Sequence, residues 1–411
     1  VTTASSAAAA ILVLAAGAGL SFAAASASAT ASSNVSETPV FVWHLPAGFP
    51  VPRVPADNPM SEAKVALGRR LFYDRRLSLN GRQACADCHR QERAFTDGAP
   101  HATGSTGAAH RRNVPTLANV AYEPALTWAD PRHRTLEEQA RVPLFGTEPV
   151  EMGFGGREED LIQRLAEVPL YRDGFAAVFP GEPASITVDN LTRALACFER
   201  TLVSGGSPYD RLVYGDEQDA LSPEARRGMR LFFSEKSRCA ACHGGVTFTG
   251  VLDYAELERV PRPRFLDDGL SPSGFDAGLE EATGRRRDRG RFKVPTLRNI
   301  ALTAPYMHDG RLATLGAVLD HYATVGPDGE AVVFSDAERR DLLAFLDALT
   351  DRAFVSDARF ADPTAVPGEP TPVAPETRPV SARTRPGPDA PEGCGGGCSR
   401  SKSPDQSPAR R

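Results

Sequence analysis

Cys85-Ala-Asp-Cys88-His89 and Cys239-Ala-Ala-Cys242-His243 are two copies of one five-residue pattern, and their reading decides the rest. In Cys-x-x-Cys-His the two thiols add across the vinyl groups of a haem, and the adjacent histidine reaches the iron as proximal ligand. A single copy fits a redox dithiol or half of a zinc site as readily. Two complete copies predict two covalently attached c-type haems, one held by Cys85, Cys88 and His89, the other by Cys239, Cys242 and His243.

The sequence around the two copies is also repeated. Gly68-Arg-Arg-Leu-Phe-Tyr73 precedes the first and Gly228-Met-Arg-Leu-Phe-Phe233 the second. Val114-Pro-Thr-Leu-Ala-Asn-Val-Ala121 follows the first and Val294-Pro-Thr-Leu-Arg-Asn-Ile-Ala301 the second. Thr135-Leu-Glu-Glu-Gln139 then answers Thr314-Leu-Gly-Ala-Val318 at nearly the same distance. A self-similarity of this kind is one domain copied once. Ser222 followed by Pro223 is a helix start, and Ala225, Met229, Phe232 and Phe233 follow at near-helical spacing, as Ala63, Leu67 and Leu71 do in the first copy. No convincing run of alternating strands appears. The predicted fold is all-α: two loop-rich cytochrome c-like haem domains related by internal duplication, over 35–205 and 206–355. The second carries a longer insert before its Val-Pro-Thr-Leu, most charged over Gly274–Arg291, which reads as surface loop.

The 411 residues suit two domains with additions, and the formal charge of -5 gives no global basic signal for nucleic acid or for a membrane surface. Low aromatic content beside 36 glycines and 34 prolines fits chain wrapped around large apolar cofactors. Residues 1–34 are small and apolar, with Ile11-Leu12-Val13-Leu14 and then Ala-Ser repeats. They read as a secretory signal peptide cleaved near Ala25–Ala31, and the Ala-rich composition argues against a stable membrane span. Export and haem attachment together point to the periplasm. Residues 356–411 turn to Pro, Ala, Ser, Arg and Glu and read as a disordered tail. Its Cys394-Gly-Gly-Gly-Cys398 fits a metal site, a small disulfide or an incidental pair. Cys197 reads as a buried apolar residue of a helix.

Further motifs carry a resemblance. Phe95-Thr-Asp-Gly98, Asn113-Val-Pro-Thr116, Leu136-Glu-Glu-Gln-Ala140, Pro149-Val-Glu-Met-Gly153 and Ala304-Pro-Tyr-Met-His-Asp-Gly310 resemble those of the bacterial di-haem cytochrome c peroxidase and MauG superfamily, over residues 40–352. Phe41-Val-Trp-His-Leu-Pro-Ala-Gly-Phe-Pro50 and Met60-Ser-Glu-Ala-Lys-Val-Ala-Leu-Gly68 are most similar to the MbnH-type branch, whose enzymes oxidise a tryptophan of a partner protein. The resemblance implies that the N-terminal haem is the peroxide site, with Glu151 as acid–base group, Gln139 its neighbour and Pro143 the distal proline. The spacing from Gln139 to Glu151 is longer than in typical peroxidases, which bears on the distal loop. Where typical peroxidases carry a blocking distal histidine, Ser105 stands here, with His101 and His110 off register; an open five-coordinate haem follows.

At the second haem the resemblance places Tyr322 where typical peroxidases have a methionine opposite the proximal histidine, as MauG-like enzymes do. A thioether is soft and neutral and favours ferrous iron, whereas a phenolate is hard and anionic and stabilises ferric and higher states. Met307, His308 and His321 are the competing ligands. Trp128 matches the tryptophan between the two haems, while Trp43 reads as packing near the N-terminal extension. Asn113 and the carbonyls of Thr303 and Pro305 match an interdomain calcium site, oxygen-only as calcium prefers. The implied function is a periplasmic peroxidase-like oxidoreductase that uses hydrogen peroxide to form high-valent haem iron and oxidise a protein partner. The rivals are a peroxidase drawing electrons from small cytochromes and a pure electron-transfer cytochrome.

Overall fold

A computed structural model describes residues 41–270, 276–325 and 331–365. The expected signal peptide over 1–34 and the Cys394–Cys398 pair lie outside the described residues. The first half contains α1 (Glu62–Phe72), α2 (Cys85–Cys88), α3 (Leu136–Phe145), α4 (Glu158–Ala166), α5 (Pro169–Val178) and α6 (Val188–Glu199). The second contains α7 (Pro208–Tyr214), α8 (Pro223–Phe232), α9 (Cys239–Cys242), α10 (Glu280–Thr283), α11 (Leu315–Thr324) and α12 (Asp336–Asp347), with a ribbon of β1 (Phe265–Asp267) and β2 (Arg291–Lys293). The fold is mostly helical, as expected. The insert read as surface loop is corrected in one respect: it carries an antiparallel ribbon, Phe265 opposite Lys293 and Asp267 opposite Arg291. Three-residue strands are too short for alternation to show in a charged segment.

The helix starts follow local chemistry. Ser61, Thr135, Ser222 and Thr314 each accept a backbone N–H three residues on with the side chain, capping α1, α3, α8 and α11. Thr135 and Glu138 complete a capping box. The repeated threonines of the two halves are thus equivalent N-caps.

The duplication is visible in the packing. α1 crosses α6 where a Cβ on Gly68 would lie 1.9 Å from the Ala194 carbonyl oxygen. α8 crosses α12 where a Cβ on Gly228 would lie 1.9 Å from that of Asp341. Only glycine permits either approach, which explains the repeated Gly-x-Arg-Leu-Phe. Thr116 Oγ1 donates to Ala94 O and Thr296 Oγ1 to Thr247 O. Asn119 and Asn299 both take left-handed backbone, with φ 63° and 59°. Their side chains meet at the junction: Asn119 Nδ2 donates to Ser204 O at 3.0 Å, Asn299 Nδ2 to Ser204 Oγ at 2.9 Å, and Ser204 Oγ to Asp351 Oδ2 at 3.2 Å.

Two segments tie the halves together. Residues 41–58 run across both: Tyr122 donates to Pro50 O, and Arg53 reaches Asp253 and the carbonyls of Tyr254 and Leu257. Trp43 packs edge-on to Phe41 within this strap. At the other end the chain continues past 356, the expected start of the tail. Phe354 and Phe360 are buried in the core of the first half, with Leu71, Phe72, Phe95 and Phe198. The core of the second half is built on Phe232, Phe248, Phe345 and Leu349.

Candidate active site

Both Cys-x-x-Cys-His segments form a single helical turn, with the histidine N–H donating 2.9 Å back to the first cysteine carbonyl in each. His89 Nδ1 donates to Phe95 O at 2.9 Å and His243 Nδ1 to Phe248 O at 3.1 Å. At His89 that bond fixes the ring and leaves Nε2 for a metal, the arrangement a proximal ligand needs, while His243 is held by the Pro295 carbonyl as well. Burial pushes both imidazoles down, His89 to about 4, so each is the neutral form that binds a metal. Burial also pushes the Cys85 thiol up, and Cys88 up to about 12. A zinc site would need further ligands beside each cysteine pair, and among the described residues no group of three or more His, Cys, Asp and Glu is placed to hold a metal ion. The zinc alternative is therefore set aside. The four thiols are unpaired.

Whether these residues fit haems can be tested on the surroundings. At the second motif a cavity of about 230 Å³ is lined by Cys239, Cys242 and His243 together with Met307, His308 and Tyr322. At the first, buried polar atoms lack partners. Gln83 Oε1, His110 Nε2 and Glu199 Oε2 are three of the four such atoms among the described residues. Gln83 lies two positions before Cys85, and Glu199 raises the Cys85 pKa. His110 bonds to the Val150 carbonyl beside Glu151. Buried polar groups are rarely left unpaired in a complete structure. A group absent from the bare chain accounts for the clustering, and both sites fit the haems their motifs announce.

The expected peroxide-side residues come together through backbone contacts. α3 carries Gln139 and Pro143. Proline has no N–H to donate to the Gln139 carbonyl four residues back, and its own carbonyl accepts Met152 N at 2.8 Å. This pins the turn bearing Glu151 against α3. Ser105 N donates to Glu151 O at 2.7 Å. A Cβ on Gly104 would lie 1.9 Å from Val150 O, so the loop at the histidine-free position lies directly on that turn. The Glu151 carboxyl has no hydrogen bond or ion pair among the described residues. Burial alone pushes it up to about 7, a value suited to moving protons near neutrality. No direct Gln139–Glu151 bond is present among the described residues. Because the carboxylate form accepts the proton, the rate of reaction with peroxide should rise with pH through about 7 and level off above it. Stopped-flow rates between pH 5.5 and 8.5 would show this, and a flat profile would remove Glu151 from the proton path.

Trp128 sits on the seam between the halves. Its Nε1 donates to Asn113 O at 2.7 Å, and its own carbonyl accepts Lys293 N from β2 at 2.7 Å. A buried Lys293–Glu123 ion pair crosses the same seam. Trp128, Asn113, Thr303 and Pro305 all line the second-haem cavity. Asn113 Nδ2 is taken by Ala99 O at 2.8 Å, which leaves its oxygen available.

Tyr322 projects from α11 into that cavity. Burial is the main cause that pushes its phenol up, with Asp268, Cys242 and Cys239 adding to the effect. Tyr322 thus shares the cavity with the haem-attachment cysteines, and its hydroxyl keeps its proton unless a cation reaches it. Of the competing ligands, His321 Nε2 is held by Asp268 O at 2.7 Å. His308 stacks on Phe292 at 3.6 Å, with Nδ1 on Asp268 Oδ2 at 2.6 Å. Met307 also lines the cavity, with φ of 75°. Sequence reasoning missed Asp268 and Phe292. They sit on or beside the β-ribbon, and no periodicity marks them.

The family description "Di-haem cytochrome c peroxidase" matches residues 62–218. The chain is 38% identical over 308 residues to the methylamine utilization protein MauG of Methylorubrum extorquens, covering 72% of this chain and 80% of that protein. It is 35% identical to the cytochrome c551 peroxidase of Nitrosomonas europaea, over 74% and 85% of the two chains. A crystal structure of a MauG-like protein associated with microbial copper homeostasis superposes with a TM-score of 0.74 at 42% identity, over 79% of this chain and 99% of that one.

Proposed function

Because the chain belongs to the di-haem cytochrome c peroxidase family, we propose that it is a periplasmic enzyme of the MauG and MbnH type, which uses hydrogen peroxide to oxidise a tryptophan of a docked protein partner. Family membership makes the chain a di-haem peroxidase-type enzyme carrying two c-type haems; the protein substrate is the finer step. The observation that carries this step is the pair of positions where the chain departs from a conventional peroxidase. By the family register Ser105, whose N donates to Glu151 O, stands where a blocking histidine would be, and Tyr322 lines the same cavity as Cys239, Cys242 and His243.

Haem iron, when bound, supplies peroxide coordination and storage of oxidising equivalents. The chain supplies the rest. Glu151 accepts the proton of the incoming peroxide and returns it to the departing oxygen, which leaves as water. Gln139 and Pro143 would line the peroxide side of the first haem. Trp128, bonded to both halves, offers an oxidisable indole between the two sites. Tyr322 would give the second site an anionic oxygen that disfavours ferrous iron. Asn113, Thr303 and Pro305 would hold Ca²⁺ where the halves meet. The copper-homeostasis relative suggests a secreted copper-binding protein as the partner. Among the described residues no helix is long and apolar enough to cross a membrane.

A second reading, a peroxidase that draws electrons from small cytochromes, is favoured by one observation: Met307 lines the same cavity as Tyr322. The two readings separate when peroxide is given with a tryptophan-bearing copper-binding protein or with a reduced small cytochrome c. The proposal expects oxygen added to tryptophan, seen by mass spectrometry, and little cytochrome turnover. Rapid cytochrome oxidation without protein modification would establish the second reading.

A further inference from the structure

We propose that the arginine loop 284–291 is a docking surface for an acidic face of the protein partner, on the second-haem side of the molecule. The inference rests on the reading above that the substrate is a protein.

Five of the seven residues from 285 to 291 are arginine: Arg285, Arg286, Arg287, Arg289 and Arg291. All five are exposed. The acids nearby are already engaged. Asp276 pairs with Arg112, Glu281 with Arg111 and Glu280 with Arg289, while Asp288 accepts Thr283 Oγ1. The side chains of Arg285, Arg286, Arg287 and Arg291 make no hydrogen bond or ion pair among the described residues. Asp267 lies opposite Arg291 across the ribbon and offsets one charge at most. A cluster of unpaired positive charge thus stands on a chain whose formal charge is -5.

A run of charge that only keeps a surface wet needs no fixed shape. This one is braced at both ends. Gly284, at φ 67°, donates to Glu280 O at 2.7 Å, and Arg285 N to Thr283 Oγ1 at 3.2 Å. Gly290 N donates to Ala277 O at 3.0 Å and Leu279 N to Arg291 O at 2.9 Å. Like charges held together repel, and among the described residues the nearby acids offset only part of that cost; an acidic partner would offset the rest, and it would also be steered onto the loop.

Location selects the kind of partner. Beyond Arg291 the same strand enters the second-haem cavity, whose wall includes Phe292 and Lys293, with Asp267 and Asp268 across the ribbon. An anionic membrane offers the same charge, but a surface one strand from a redox cavity suits a protein that gives up electrons.

The test uses the holoprotein and two random copolymers, poly(Glu,Tyr) and poly(Lys,Tyr), which carry the same oxidisable aromatic on opposite charge. Binding is read by fluorescence anisotropy and oxidation by peroxide-driven dityrosine formation. At low salt the acidic copolymer should bind, and be oxidised at least about tenfold faster than the basic one. Both effects should weaken as salt is added. Arg285→Glu/Arg286→Glu/Arg287→Glu should lose at least about tenfold in binding while its reaction with peroxide alone is unchanged, which also shows that it has folded. Binding by the triple variant as tight as wild type, equal binding of both copolymers, or binding of phosphatidylglycerol vesicles in place of the acidic copolymer would overturn the proposal. Arginine-dependent binding of the acidic copolymer with no oxidation of either would uphold the docking surface and count against the protein-oxidising reading.

Discussion

Glu151→Gln is expected to slow the reaction of the ferric protein with hydrogen peroxide by roughly 10²- to 10⁴-fold, the usual contribution of a positioned acid–base group. Glutamine keeps the shape of the side chain and the backbone bonds from Ser105 N to residue 151 and from Met152 N to Pro143 O. Only the titrating proton is lost. Both haems should remain attached, as a pyridine haemochrome assay would show, and the rise of rate with pH through about 7 should vanish. Burial is what raises the Glu151 pKa, so removing its carboxyl should remove that titration. Wild-type rates in the variant would move the proton path to another group. The buried, unpartnered Glu199, pushed up to about 8 mainly by burial, would be next to test.

Tyr322→Met should raise the potential of the second haem by on the order of 0.1 V or more, within the wide range that axial ligands command. A neutral thioether in place of a phenolate removes the preference for ferric iron. The variant should take up an electron readily and become slow to react with peroxide in the all-ferric form. Met307→Leu should leave the potential near wild type. If Met307→Leu moved the potential and Tyr322→Met did not, the ligand would be Met307 and the second site would be that of a conventional peroxidase. Potentiometric titration of the two variants, followed optically, makes the comparison.

The parts of the account that were legible in the sequence are those whose chemistry is local. The two attachment motifs need only five adjacent residues each, and the cap at Ser222 acts over three residues. The duplicated glycines announced themselves by repetition, although the helix crossing that demands them at Gly68 and Gly228 appears only in three dimensions. The junction of Ser204, Asn299 and Asp351 brings together residues far apart in the chain, and no spacing foretells it. The return of Phe354 and Phe360 to the first core is hidden because Phe354 falls in the second repeat and Phe360 in what reads as the start of a Pro-rich tail. Asp268 and Phe292 flank or occupy a ribbon too short to show a pattern, inside an insert whose charge suggested only surface. Glu151, Gln139, Pro143, Trp128 and Tyr322 were reachable only through a family resemblance. Alone, each is an ordinary residue on a helix or turn.

The central claim is that the first haem is open and the second is held in an oxidising state, so that peroxide needs no reductant. The most direct measurement adds hydrogen peroxide to the all-ferric holoprotein and follows the optical and EPR spectra of both haems. The account predicts immediate loss of both ferric EPR signals. No reaction until one haem has been reduced would contradict it, and would mean that a ligand blocks the first iron and that Ser105 and Tyr322 do not play the parts given to them.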